Sequence, residues 1–80
     1  MFENLALSEN GFLFDGRTGN TYSLNRTGVF LLKKLMAGAE PEQLSKLLEE
    51  AFEVDEANAR RDVEQFLFRL KDLGVTDEED

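Results

Sequence analysis

The residue types that most often carry catalysis are missing from this 80-residue sequence, which has no cysteine and no histidine. A thiolate nucleophile, a disulfide and the usual general base are therefore excluded. The acidic cluster at 49–56 lacks the alternating ligands and the central glycine of a calcium loop. The Gly16-x-x-Gly19 segment lacks the lysine and the following hydroxyl residue of a phosphate-binding loop. We therefore expect a protein that is not an enzyme and that holds no metal ion and no cofactor.

Without a catalytic or metal-binding motif, the remaining functional signal is the surface of the protein. The charge on that surface is unevenly distributed along the sequence. Residues 1–38 have a net charge of +1 and residues 39–80 of −9, which gives −8 for the chain. An acidic half repels phosphate backbones and anionic lipids, so we expect neither nucleic acid nor a membrane surface as a partner. The basic residues near the end of that half are Arg60, Arg61, Arg69 and Lys71. They either balance surface charge or form the cationic flank of a groove for an acidic or amphipathic peptide.

Two short runs with alternating apolar residues must position any such groove. Phe12 and Phe14 share one face of the first run, and Tyr22 and Leu24 share one face of the second. The segment 15–20 between them has an Asp-Gly pair and a second glycine, which favour a hairpin turn. Turn formation is also the simplest role for Asp15.

A weaker alternation at Phe2–Leu7 predicts a short first strand, which a turn at 8–11 folds back against the hairpin. With a last strand at Asn20–Leu24, the sequence predicts a three-stranded antiparallel meander. The outer edge of its last strand has N–H and C=O groups without partners.

The first helix is predicted from Arg26 to Ala37, with Asn25 as its N-cap and Gly38 at its end. Its apolar stripe is Val29, Leu32, Leu35 and Met36, widened by Phe30 and Leu31.

Two further helices follow in the acidic half. The second has Pro41 in its first turn and the apolar stripe Leu44, Leu47, Leu48, Ala51 and Phe52. The third is about nineteen residues long, begins after the N-cap Asp55 and ends at Gly74. Its apolar stripe is Ala59, Val63, Phe66, Leu67, Leu70 and Leu73.

The chain length suits one domain, which we place at residues 1–75, followed by an acidic disordered tail at 76–80. The sequence starts with Met-Phe-Glu-Asn and has neither a basic segment followed by an apolar run nor a membrane-spanning stretch. This favours a cytoplasmic location.

Two features of the predicted surface stand out. Phe68 points away from the apolar stripe of the third helix, so it is either a single exposed residue or part of a contact surface. The edge at Asn20–Leu24 could accept an extended peptide as a further strand. Protection of that edge by the N-terminus or by a dimer partner is the competing interpretation.

Taken together, the order of these segments resembles the PqqD family, the small proteins named for coenzyme PQQ biosynthesis. The run Tyr22-Ser23-Leu24-Asn25-Arg26-Thr27-Gly28 is the most specific part. The similarity begins at Asn10-Gly11-Phe12, continues through LSKLLEEAFEVD and extends to Gly74-Val75.

The resemblance implies an α+β, winged-helix-like domain of three strands followed by three helices, which acts as a RiPP precursor-peptide recognition element. Such proteins are not enzymes. They bind the leader of a ribosomally made peptide and present it to a modifying enzyme, often a radical SAM protein. The leader would lie along the third strand and against the third helix. The positions that this implies for peptide binding are Thr21, Tyr22, Ser23, Leu24, Arg61, Gln65, Phe68 and Arg69.

Two alternatives belong to other functional classes. A winged helix could bind DNA through the arginines of the third helix, although the acidic half opposes this. The open strand edge and Phe68 could instead form a homodimer in an assembly subunit, so both a monomer and a homodimer are compatible with the sequence.

Overall fold

The computed structural model of the protein describes residues 4–74. Three antiparallel strands are followed by three helices, so the predicted α+β meander and its helices are confirmed. The predicted start of the first strand at residues 2–3 and the predicted tail at 76–80 lie outside the described residues. The strands are β1 (Leu5–Leu7), β2 (Phe12–Asp15) and β3 (Asn20–Ser23). The helices are α1 (Arg26–Met36), α2 (Leu44–Phe52), preceded by a 3₁₀ turn at Pro41–Gln43, and α3 (Glu56–Leu73).

The face of the hairpin that packs on the helices carries Leu13, not the two phenylalanines beside it. Leu13 is fully buried, whereas Phe12 and Phe14 are 51% and 46% exposed. The register explains this, because Leu13 lies opposite Tyr22 on β3, and directly opposed residues share a face. Tyr22 packs against the helical core. Phe12 and Phe14 therefore form the outer face of the sheet.

The end of the hairpin away from its turn requires a glycine at position 11, directly before β2. The N–H of Leu24 donates to the carbonyl of Gly11 at 2.8 Å. Gly11 has a φ of +89°, and a Cβ at this position would lie 2.9 Å from the carbonyl oxygen of Leu24. Both the backbone conformation of Gly11 and the close approach of the Leu24 main chain therefore exclude a side chain here.

Helix α1 begins at the predicted Arg26 and ends at Met36, one residue before the predicted Ala37, and its buried face is rotated slightly from the predicted one. The side chain of Asn25 accepts a hydrogen bond from the Gly28 N–H at 2.8 Å, which caps the helix. Leu31 and Leu32 are fully buried. Met36, predicted for the apolar stripe, is 41% exposed because it lies roughly a quarter turn around the helix from the centre of the buried face at Gly28, Leu31 and Leu32.

Helices α2 and α3 complete the core. Asp55 accepts from the Asn58 N–H at 2.8 Å and so caps α3, and Gly74 ends it with a φ of +77°. Ala51, predicted for the apolar stripe of α2, is exposed, although its spacing from the buried Leu44 and Leu48 puts it on the same side of the helix; it lies in the last turn of α2. The core consists of Leu13, Leu31, Leu32, Leu44, Leu48, Ala59, Val63, Phe66 and Leu70. None of the helices within residues 4–74 is long and apolar enough to cross a membrane.

The assignment of the two hairpin faces can be tested by a pair of truncations. We expect Leu13→Ala to lower the free energy of unfolding by about 2–5 kcal/mol, because it opens a cavity in the core. Phe12→Ala removes a larger but half-exposed side chain, so its effect should be clearly smaller. Urea denaturation followed by circular dichroism measures both values. A larger loss for Phe12→Ala would mean that the outer face has been assigned to the wrong side of the sheet.

Candidate functional site

The outer edge of β3 presents main-chain groups that the sheet does not use. The Leu24 N–H, directly after β3, donates to the carbonyl of Gly11, directly before β2. Hydrogen-bonded and non-bonded pairs alternate along an antiparallel ladder, and this register makes Leu13 and Tyr22 a bonded pair. Thr21 and Ser23 therefore direct their N–H and C=O groups away from β2, toward the open edge.

Helix α3 runs beside this edge, in the opposite direction to β3. Near the turn of the hairpin, the Arg17 guanidinium donates to the carbonyl of Gly74 at 2.6 Å. At the other end of β3, the Arg69 guanidinium lies 3.5 Å from the carbonyl oxygen of Ser23. Two arginines thus link α3 to the hairpin at opposite ends, and α3 flanks the main-chain groups of the open edge.

A groove of about 250 Å³ lies between the end of β3, the start of α1 and α3. Its apolar residues are Leu24 and Phe66, and the other side chains on its walls are polar. Two of them carry opposite charges, Asp62 and Arg69. The complete lining is Leu24, Asn25, Thr27, Gly28, Asp62, Gln65, Phe66 and Arg69.

The structure brings some of the predicted binding residues to this groove. Leu24, Gln65 and Arg69 line it, and Ser23 contacts Arg69 at its end. Thr21 is exposed on the same strand edge.

Three other predicted residues lie elsewhere. Tyr22 pairs with Leu13 of β2, and its side chain is half-buried against the core. Arg61 is exposed and donates to the Asn58 side chain at 3.0 Å. Phe68 is 70% exposed on the side of α3 that faces away from the core.

Two further lining residues, Asp62 and Phe66, are not among the positions predicted from the sequence. They lie on the same side of α3 as Gln65 and Arg69, because positions 62, 65, 66 and 69 follow the i, i+3, i+4, i+7 spacing of a single helical face. That spacing is the signal that could have found them. Phe66 belongs to the core, as its place in the apolar stripe predicts, but one part of it also forms the groove wall.

The predicted cationic flank is reduced to a single groove residue. Arg60 forms an ion pair with Glu56 at 2.7 Å, on the exposed surface of α3. Of the four basic residues that could form this flank, Arg69 lines the groove, and Arg60, Arg61 and Lys71 do not.

The turn of the hairpin contains a buried carboxylate that holds Arg17 in place. Asp15 is fully buried. Its carboxylate accepts from the main-chain N–H of Arg17 at 2.9 Å and from the guanidinium at 3.2 and 3.1 Å. These hydrogen bonds hold the pKa of Asp15 below its ordinary value of 3.8, and the largest contribution comes from the Arg17 side chain. Burial of the carboxylate acts in the opposite direction and raises the pKa. Asp15 thus does more than form a turn, because it orients the arginine that reaches α3.

A second concavity, of about 350 Å³, lies on another side of α1. Its apolar wall includes Phe30 and Phe52, whose rings meet edge to face at 5.3 Å. The Arg26 guanidinium lies 5.8 Å from the centre of the Phe52 ring. This concavity shares Leu24 and Asn25 with the groove, but its lining includes neither Ser23 nor a residue of α3 between 56 and 73, so contacts on α3 distinguish binding in the groove from binding here.

The chain is similar to proteins of one family. A family model described as coenzyme PQQ synthesis protein D (PqqD) matches residues 10–75. A solved structure described as lasso peptide synthetase B1 complexed with the leader peptide is 31% identical, with a TM-score of 0.73, and the match covers 88% of this chain and 84% of that chain. Another, TbiB1 in complex with the TbiA(beta) leader peptide, shares the fold with a TM-score of 0.81 at 22% identity, over 95% of this chain and 90% of that chain. None of the curated proteins compared matches the chain.

The contribution of Asp15 should appear in the dependence of stability on pH. Its pKa is lower in the folded than in the unfolded protein, so its stabilising effect is fully present above about pH 4 and is lost as the pH falls through the folded value. We expect Asp15→Asn to be less stable than the wild type at pH 7, and the difference to shrink at pH 3 and below. Urea denaturation at several pH values measures it. A difference that stays constant with pH would contradict the role of the carboxylate.

Proposed function

The chain belongs to the PqqD family, and we propose that it binds the leader of a ribosomally made precursor peptide without modifying it. The observation that carries this proposal is the open edge of β3 beside α3, with the groove at one end. The relative of 31% identity whose solved structure is complexed with a leader peptide supports the same function.

Strand addition is the binding mode that this edge favours. An extended peptide would pair with the outward main-chain groups of Thr21 and Ser23, and alternate side chains would turn toward the groove. Each main-chain hydrogen bond contributes a net free energy of about 0.5–1.5 kcal/mol. Because the edge offers few such groups, they cannot by themselves supply the roughly 8 kcal/mol of micromolar binding. Side-chain contacts in the groove must provide the rest, and with it the selectivity.

Binding of the leader would position the rest of the precursor peptide. A leader held on β3 brings the remainder of the same precursor to a partner enzyme at a raised effective concentration. We propose that this partner is a peptide-modifying enzyme, of the radical SAM type that the family resemblance implies. No catalytic step is assigned to this chain.

A proline at the outward-facing position of β3 tests strand addition. Thr21→Pro removes an N–H that does not bond to β2, so the hairpin should keep its fold. We expect it to weaken binding of the precursor peptide encoded beside the gene by at least about tenfold, from the lost hydrogen bond and the bulk of the ring. Thr21→Val, which keeps the N–H, is the matched control and should bind like the wild type. Isothermal titration calorimetry measures the affinities.

The location of the peptide is tested separately by NMR. Chemical-shift changes are expected at Asn20–Ser23 and along the groove side of α3. Changes confined to the concavity around Phe30 and Phe52, or equal binding by Thr21→Pro and Thr21→Val, would contradict binding at the β3 edge. Sedimentation of the free protein over a range of concentrations checks that a dimer does not occupy the same edge.

A further inference from the structure

We propose that Arg69 selects peptides that carry an acidic side chain on the residue opposite Ser23 or on its neighbour. This inference rests on the proposed function and adds the chemical class of the peptide. Its starting point is a contact within the chain itself. The Arg69 guanidinium points to the carbonyl of Ser23, which is one of the outward acceptors of the β3 edge.

This contact is weak enough to be replaced. Its donor–acceptor distance is 3.5 Å, whereas good N–H···O hydrogen bonds are about 2.7–3.2 Å long. Arg69 is exposed, and neither of the ion pairs found within residues 4–74 includes it. The main-chain N–H of an added strand could therefore take the Ser23 carbonyl at little cost, and the guanidinium would be displaced from it.

The displaced guanidinium needs a new acceptor within the groove. The neighbouring Gln65 is neutral, and Asp62 lies seven residues earlier on α3, about 10 Å along the helix axis. The exposed Asp72, three residues after Arg69, is outside the groove lining and would form only a solvent-exposed pair with it. A carboxylate of the incoming peptide can accept two parallel hydrogen bonds from an arginine, which is the strongest pairing open to it. The vacated contact with Ser23 places this carboxylate on the peptide residue opposite Ser23 or on its neighbour.

Asp62 restricts the acid to that position. It lines the same groove, in which Arg69 is the basic residue, so a second carboxylate placed beside Asp62 would face a like charge. The groove therefore distinguishes an acid near Ser23 from an acid further along the peptide. In this way the charge pattern fixes the register of an otherwise sequence-tolerant strand addition.

A phage library of random peptides, panned against the immobilised protein, tests this preference and does not require the natural peptide. We expect wild-type selections to converge on sequences with Asp or Glu at one fixed position. Arg69→Gln should lose that preference and bind a selected peptide about tenfold more weakly. Lys71→Gln removes the same charge from α3 outside the groove, so it should keep both the preference and the affinity. Arg69→Glu should instead select Lys or Arg at the same position.

The outcomes separate this inference from the proposed function. Edge binding that is blocked by Thr21→Pro, but that shows no preference for an acid or keeps it in Arg69→Gln, would overturn the role of Arg69 and leave peptide binding intact. Selected peptides whose binding is unaffected by Thr21→Pro would overturn the proposed function itself. Circular dichroism of each variant confirms that the comparison is made between folded proteins.

Discussion

The main-chain pairing between β2 and β3 is the constraint on which the rest of the structure depends. The short approach of Leu24 to Gly11 fixes the register of the hairpin. The register then decides that Leu13 faces the helices and that Thr21 and Ser23 present their main chain to the open side. A slip by one residue would exchange both sets at once, since side chains and hydrogen bonds alternate with a period of two. Core and binding edge are therefore specified by the same contact.

The two links between the hairpin and α3 differ in a way that suits a groove that must admit a peptide. Arg17 is anchored by a buried carboxylate and reaches the end of α3 through a short hydrogen bond. Arg69 makes a long, exposed contact at the other end of the strand. The contact of Arg69 with Ser23 can therefore be exchanged while α3 stays in position, because the buried face of the helix packs in the core and Arg17 holds its end. Polar links achieve this better than apolar packing, whose loss would expose surface to water.

Local signals in the sequence predict the elements and the buried face of α3 well, but they do not decide which face of the sheet is buried. Asn25, Asp55 and Gly74 bound their helices because capping chemistry acts within a few residues. The buried face of β2 is a different matter, since the alternation of its residues fits burial of either side of the strand. Only the pairing with Tyr22 and the helices behind it decides between the two faces. The α3 residues that line the groove depend on the rotation of that helix about its axis. The apolar stripe of α3 predicts that rotation, but it does not show which flanking residues of the helix the end of β3 and the start of α1 enclose in a groove.

The strong negative charge of the chain does not oppose an acidic peptide in the groove. At physiological ionic strength the Debye length is about 8 Å, so exposed acids on distant surfaces are largely screened. Inside the groove, Arg69 acts over a few ångströms on whatever lies next to Ser23, with much less water in between. Net charge thus slows the encounter with an acidic partner, while the local arginine governs how long it stays bound. The chain can be acidic as a whole and still select a carboxylate at one point.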